Sequence, residues 1–408
     1  MRAWICGFLL LTSCSVAADD RESGLQSLYD AHQWFKLRDA IAGVEAPLFY
    51  RAAVACVFDD PQSCEQLAGE FLKSVPPPEL AGEAHDLLSD LYFRTGRFRL
   101  ALSELDAELD VHPNAEAQNA LALYRALSQL PEQSIAERRE STIHVLYKND
   151  FVPVTINGQS FKAFVDTGGG ISTIAESAAK RLGMAVLDAG GARLGDASGQ
   201  GVNLKQVAVA GSLTIGNIRL KNVAFTVVSD RAQPFAGWNP GKRCVLGIQV
   251  LLACRTMRWK GAFPRAALQL DAPAGPKNLS NATLSMDGTT PVVAAECNGH
   301  KLTLVLDTGM GRTVLHASFA REFPKLVNGS GKSATRFFSG YGGGAKVQTM
   351  TLPRLTLGFG GFDTVFRHID VYMKGSQSGW LDGVLGTDFL NKAREVTIDF
   401  ESMTVSLR

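Results

Sequence analysis

Charge in surplus is what this chain lacks first: 41 Lys and Arg stand against 40 Asp and Glu over 408 residues, leaving a net charge of +1. With no basic stripe and no binding motif there is no electrostatic footprint for DNA or RNA, and no nucleic-acid partner is expected. After the N-terminus no apolar run reaches the roughly 18 residues of a spanning helix, so membrane contact is expected only through a lipid anchor. The seven His are scattered (His32, His85, His112, His144, His300, His316 and His368), and no Cys/His spacing suggests zinc. Neither a metal nor another cofactor is expected. Cysteine is scarce as well. Cys56 and Cys64 lie close enough for a local bridge, Cys244 and Cys254 bracket VLGIQVLLA, and Cys297 is left over. Two local disulfides would suit an oxidising compartment. The remaining composition, 46% hydrophobic and 20% charged, is that of a globular chain of two or three domains.

Residues 1–18 read as an export signal. Arg2 supplies the positive start and Ala3 to Leu11 a short apolar core. Leu11-Thr12-Ser13-Cys14 resembles a bacterial lipobox, in which Cys14 would be lipidated; cleavage near Ala17 or Ala18 is the competing reading. Under either, the mature protein is exported, as a periplasmic protein or a lipoprotein anchored to the outer membrane.

Residues 20–140 carry helical periodicity, and Leu88, Tyr92, Gly96, Phe98, Ala101, Leu105 and Pro113 stand where a tetratricopeptide repeat places its signature residues. Segments 25–45, 47–73 and 115–130 read as weaker partners, with Pro76-Pro77-Pro78 as a rigid loop between helical pairs. Such a domain could hold a protein partner, or could serve only as a cap on the β-rich remainder of the chain. Polar Pro131–Arg139 reads as a linker.

That remainder is an internal repeat. Asp166-Thr167-Gly168 and Asp307-Thr308-Gly309 each close an apolar run, KAFVDTG and LTLVLDTG, which puts each Asp where a buried strand meets a turn. Asp is a poor strand residue and costly to bury alone, so a second Asp nearby to share a proton would account for it. Asn157-Gly158 and Asn298-Gly299 precede the two tripeptides at equal distance and read as type I′ hairpin turns. Leu213-Thr-Ile-Gly216 and Leu355-Thr-Leu-Gly358 come next, and then Val245-Leu-Gly247 and Val384-Leu-Gly386. Taken singly, either Asp could merely cap a turn. Matched landmarks in one order argue instead for two copies of a small β domain, at 142–272 and 281–408, with a boundary near Pro273–Asn281.

On these motifs the chain resembles the aspartic peptidases, specifically the bacterial retropepsin-like group, over roughly residues 142–408. The resemblance implies two β-barrel lobes of the acid protease fold about a pseudo-twofold axis. Asp166 and Asp307 would be catalytic. Thr167 and Thr308 would reach across the axis to the opposite lobe's backbone, and Gly168 and Gly309 would permit the tight turns. Gly169 and Met310 depart from the Ala or Ser usual after the tripeptide. Gly-rich stretches 195–201 and 338–344 read as hairpin tips over a cleft, with Gly199 and the aromatic Tyr341 as flap residues. The fold class expected is thus a helical-repeat domain followed by two β lobes. The function expected is an aspartic endopeptidase acting on protein or peptide substrates. The alternative is an inactive peptide-binding scaffold built from the same helices and cleft.

Overall fold

The computed structural model of the chain describes residues 22–195, 201–273, 277–374 and 379–408. Its first part is helical: α1 (22–30), α2 (Trp34–Ile41), α3 (Leu48–Val57), α4 (Pro61–Lys73), α5 (Pro78–Arg94), α6 (Phe98–Val111) and α7 (Ala115–Ser128). Local signals set the ends. Asp60 caps α4 by accepting from the Ser63 amide, Asn114 caps α7 by accepting from Ala117, and Pro starts both α4 and α5. α5 and α6 form a hairpin that turns at Gly96, whose φ of +76° a side chain would strain. Leu88, Phe98, Ala101 and Leu105 are buried along it, and the Ser89 hydroxyl donates to the Ala101 carbonyl at 3.0 Å. Cys56 and Cys64 form a disulfide that ties α3 to α4.

The second expected bridge is absent. Cys244 and Cys254 are free and fully buried, and the Cys254 thiol donates to the Val250 carbonyl one helical turn earlier. Each behaves as a small apolar side chain in a core. Pro131–Arg139 is also more than a linker: Ser134–Glu137 is an edge strand paired antiparallel with Ile218–Val228. An outermost strand exposed to water needs no apolar alternation, so its polar composition concealed it.

Beyond the helices the chain builds two closed strand systems. In the first, the order Val152–Ile156, Gln159–Val165, Cys244–Leu246, Thr173–Ala175, Ile218–Val228, Gln206–Ile215 returns to its start, because the last strand also pairs with the first. In the second, Thr290–Cys297, His300–Leu306, Gly383–Leu385, Val314–Leu315, Phe362–Tyr372, Gly343–Phe359 take the same order and close in the same way. Both Asn-Gly pairs turn the hairpins as their type requires, with φ of +47° and +78° at Asn157 and Gly158, and +51° and +80° at Asn298 and Gly299. A further sheet joins the two systems. Its order is Ser141–Val145, Ala266–Leu270, Thr256–Lys260, Glu395–Asp399, Thr404–Leu407, so that Trp259 of the first half pairs with Val396 of the second.

The helices rest mainly on the second system. Arg38 donates to the Ala282 carbonyl at 2.6 Å, and both His32 and Trp34 reach the Asp287 carboxylate, at 2.7 and 3.1 Å. No helix among the described residues is long and apolar enough to cross a membrane.

Candidate active site

Asp166 and Asp307 emerge from equivalent places. Gln159–Val165 and His300–Leu306 each run parallel to a short crossing strand, pairing Val165 with Leu246 and Leu306 with Leu385. The crossing strand then holds the aspartate's own amide: Asp166 N–H donates to the Leu246 carbonyl and Asp307 N–H to the Leu385 carbonyl, both at 3.0 Å. The glycine that ends each crossing strand lies against the loop after the tripeptide. A Cβ on Gly247 would lie 2.6 Å from the Gly169 carbonyl oxygen, and one on Gly386 2.5 Å from Arg312 C. Only glycine permits backbones to approach this closely.

The two tripeptide turns meet face to face. Thr167 N–H donates to Thr308 Oγ1 and Thr308 N–H to Thr167 Oγ1, each at 3.0 Å. Each hydroxyl passes its own proton on, Thr167 to the Leu306 carbonyl at 2.6 Å and Thr308 to the Val165 carbonyl at 2.9 Å. Both threonines are buried. The glycines cross as well: a Cβ on Gly168 would fall 2.5 Å from Asp307 Cγ, and one on Gly309 2.5 Å from Asp166 Cγ. The two carboxyls themselves hydrogen-bond to each other.

Their surroundings are unequal. Asp307 Oδ1 accepts from two amides of its own turn, Gly309 at 2.7 Å and Met310 at 3.0 Å, whereas Asp166 Oδ1 accepts from Gly168 of its own turn at 3.0 Å and its carboxyl is also bonded by the Gly309 amide of the opposite turn. Burial raises both above the ordinary carboxylate range. For Asp166 the nearby Asp307 charge and the bond between the carboxyls add to burial, and it is pushed well up. For Asp307 the bond from Asp166 and the two amides oppose burial. Both shifts favour one proton shared by the pair, and Asp166 is the more strongly raised of the two.

Supports that sequence reading missed stand behind each turn. Ser172 and Thr313, each six residues past its Asp, accept from the Gly247 and Gly386 amides at 3.0 and 3.2 Å. Gln249 and Asp388, each two residues past that glycine, accept in turn from the Ser172 and Thr313 amides at 3.4 and 2.9 Å. The equal offsets were the available signal, but Ser against Thr and Gln against Asp do not look alike in a repeat.

A cleft of about 730 Å³ opens above the pair, with Phe164, Trp238, Val314 and Tyr341 among its walls. The hairpin of Lys332–Gly340 and Gly343–Phe359 reaches over it. At its tip Tyr341 lines the cleft yet also reaches the opposite wall, with its hydroxyl bonded to Thr173 and its ring 5.8 Å from Phe235. In the first half Arg193–Leu194 and Val202–Asn203 form a smaller hairpin. Its Gly201 meets the other tip, since a Cβ on Gly342 would lie 1.9 Å from the Gly201 carbonyl oxygen. Gly199 falls outside the described residues, as do Cys14 and the rest of 1–18. Among the described residues no group of His, Cys, Asp and Glu is placed to hold a metal ion.

Residues 152–252 match the family model described as gag-polyprotein putative aspartyl protease. That stretch holds Asp166 and Gly247 and is about a quarter of the chain; Asp307 lies beyond it. Over that stretch the chain is similar to a putative aspartyl protease domain. Among solved structures it is similar to a retropepsin-like aspartic protease from Rickettsia conorii, at 17% identity over 34% of this chain and 93% of that one, with a TM-score of 0.23. No curated protein matches it in sequence.

Proposed function

We propose that this chain is an aspartic endopeptidase whose site is assembled from both halves of one chain. The observation that carries this reading is the pair of half-buried carboxyls, Asp166 and Asp307, bonded to each other beneath a cleft of about 730 Å³. A water between them gives a proton to the Asp307 carboxylate as its oxygen attacks the scissile carbonyl carbon. Asp166 donates its proton to the carbonyl oxygen, so the tetrahedral adduct forms uncharged. Return of a proton to the amide nitrogen then breaks the C–N bond. The low-dielectric floor makes one proton on two carboxyls the stable state, and that state is the one both roles require.

The helices form hairpins of the tetratricopeptide kind that would present substrate or partner to the cleft. The protein would act in the bacterial envelope, exported by residues 1–18 and held there through Cys14. The Cys56–Cys64 bridge fits that compartment, since such bonds persist where conditions are oxidising. Mass analysis of the mature N-terminus tests the anchor.

The experiment on activity is a cleavage profile of a peptide library with the wild type, Asp166→Asn and Asp307→Asn. Cleavage by the wild type and none by either folded variant is expected. Cleavage at wild-type rate by a variant that circular dichroism shows to be folded would place the activity elsewhere.

A further inference from the structure

A second cavity, of about 750 Å³, lies between the helices and the second strand system, and the dyad has no part in it. Glu83, Asp86 and Asp90 project into it from one face of α5, at the i, i+3, i+7 spacing that aligns side chains along a helix. Glu108 of α6, Glu116 of α7 and Asp287, the last residue of strand Leu284–Asp287, complete an acidic wall. No Lys or Arg is among the described residues that line it. Arg94 is engaged with Asp59 at 3.1 Å and the Cys56 carbonyl at 2.6 Å, and of the two lining His residues His32 pairs with Asp287 at 2.7 Å.

An independent sign of a missing partner is Glu108. It is only 6% exposed, its Oε1 accepts from Asn114, and its Oε2 is buried with no hydrogen-bond partner. A carboxylate oxygen buried without a donor is costly, and a ligand with N–H groups would relieve it. Burial and the neighbouring carboxylates push Asp86 well up, and burial raises Asp90 to about 7 even though the Arg94 charge opposes it.

The cavity adjoins the cleft. Its Thr289 packs on Gly170, a cleft residue just past the first tripeptide, so closely that a Cβ on Gly170 would lie 2.5 Å from Thr289 Oγ1. A chain leaving the cleft on that side meets the acidic wall next. The carboxylates are spread over a space far larger than an ion, and none of them group in a way that could hold a metal among the described residues. An extended organic cation suits this better, because long basic side chains can each reach a different carboxylate. We propose that this cavity is a second substrate-binding site, taking a Lys- or Arg-rich segment of the polypeptide whose scissile bond lies over Asp166 and Asp307. It rests on the peptidase reading above and narrows it to substrates with a basic segment beside the cleaved bond.

The probe is a fluorescein-labelled tetra-D-arginine, which resists cleavage, followed by anisotropy with the full wild-type chain. Saturable binding is expected, with none of the matching tetra-D-glutamate. The double variant Asp86→Asn with Asp90→Asn should weaken binding about tenfold or more, and so should Glu116→Lys at the exposed rim, which leaves the buried wall intact. Absence of binding to the wild type, or binding that both variants leave unchanged, overturns the proposal whether or not the chain cleaves peptides. On a cleaved library peptide, four arginines added at one end should lower KM about tenfold in the wild type but not in Glu116→Lys, with kcat unchanged. Equal KM with and without the arginines, at either end, also overturns it. If no peptide at all is cleaved, the peptidase reading fails, and the anisotropy still decides whether the cavity takes the cation.

Discussion

Thr167 and Thr308 exchange hydrogen bonds across the join of the two halves, each hydroxyl accepting the other's amide at 3.0 Å and donating to the carbonyl just before the other's aspartate. The position of each carboxyl is thereby set by the opposite half. Thr167→Val and Thr308→Val should each cost about 1–3 kcal/mol of stability, because a buried amide and a buried carbonyl lose their partner. Activity should fall by more than the loss of folded protein explains. Equal unfolding midpoints and equal kcat in both variants would show that the exchange holds nothing in place.

The glycine crossing makes a sharper demand. A methyl group in Gly309→Ala would fall 2.5 Å from Asp166 Cγ and from both its oxygens, which no Cβ tolerates. The Asp166 carboxyl must therefore move. Displacement of a reacting group by about 1 Å costs roughly 100-fold in rate, so kcat should drop at least that far. Peptide kinetics beside a thermal melt check this, with the loss of rate expected to exceed any loss of fold.

Rate should depend on pH as a bell, since acid protonates Asp307 and alkali removes the proton from Asp166. Burial and the Asp307 charge raise Asp166 well above the usual carboxylate range, so the alkaline limb should lie far above an ordinary Asp. A profile whose alkaline limb sits at about pH 4 would contradict the assignment of the proton.

Stability is governed by the same shifts. A carboxyl raised in the folded state binds its proton more tightly there than in the unfolded chain. Its unfavourable contribution is absent below the unfolded value, grows as pH rises toward the folded one, and is complete above it. Asp166→Asn removes that burden, so its melting temperature should exceed the wild type's by more at about pH 8 than at about pH 4. Thermal melts at the two values decide it.

Both carboxyls belong to one chain, and Thr256–Lys260 of one half pairs along its length with Glu395–Asp399 of the other. Specific activity should therefore hold constant on dilution. A fall with the concentration dependence of a dissociating dimer would show that the site is completed between chains.

Much of this was legible in the residues alone, wherever the cause is local. An Asn-Gly pair between apolar runs makes a tight hairpin because few other residues accept positive φ, and both pairs do so here. Helix ends at Asp60, Asn114 and the prolines were likewise written in short-range chemistry. The repeated Asp-Thr-Gly marked the two aspartates because a carboxyl at the end of a buried strand needs a partner, and the repeat offered one.

Tertiary structure alone decided the rest. The Ser172–Gly247 and Thr313–Gly386 bonds, the glycines against opposite aspartates, and the edge strand Ser134–Glu137 each depend on segments far apart in the chain. Cys244 and Cys254 lie close in sequence yet are held in a core as separate thiols, against the expectation from spacing. The acidic wall collects from three helices and the end of a strand, and exists only where these meet. Charge and contact are properties of surfaces brought together. A local pattern settles which turn or helix a residue favours, whereas packing settles which carboxyl it will face.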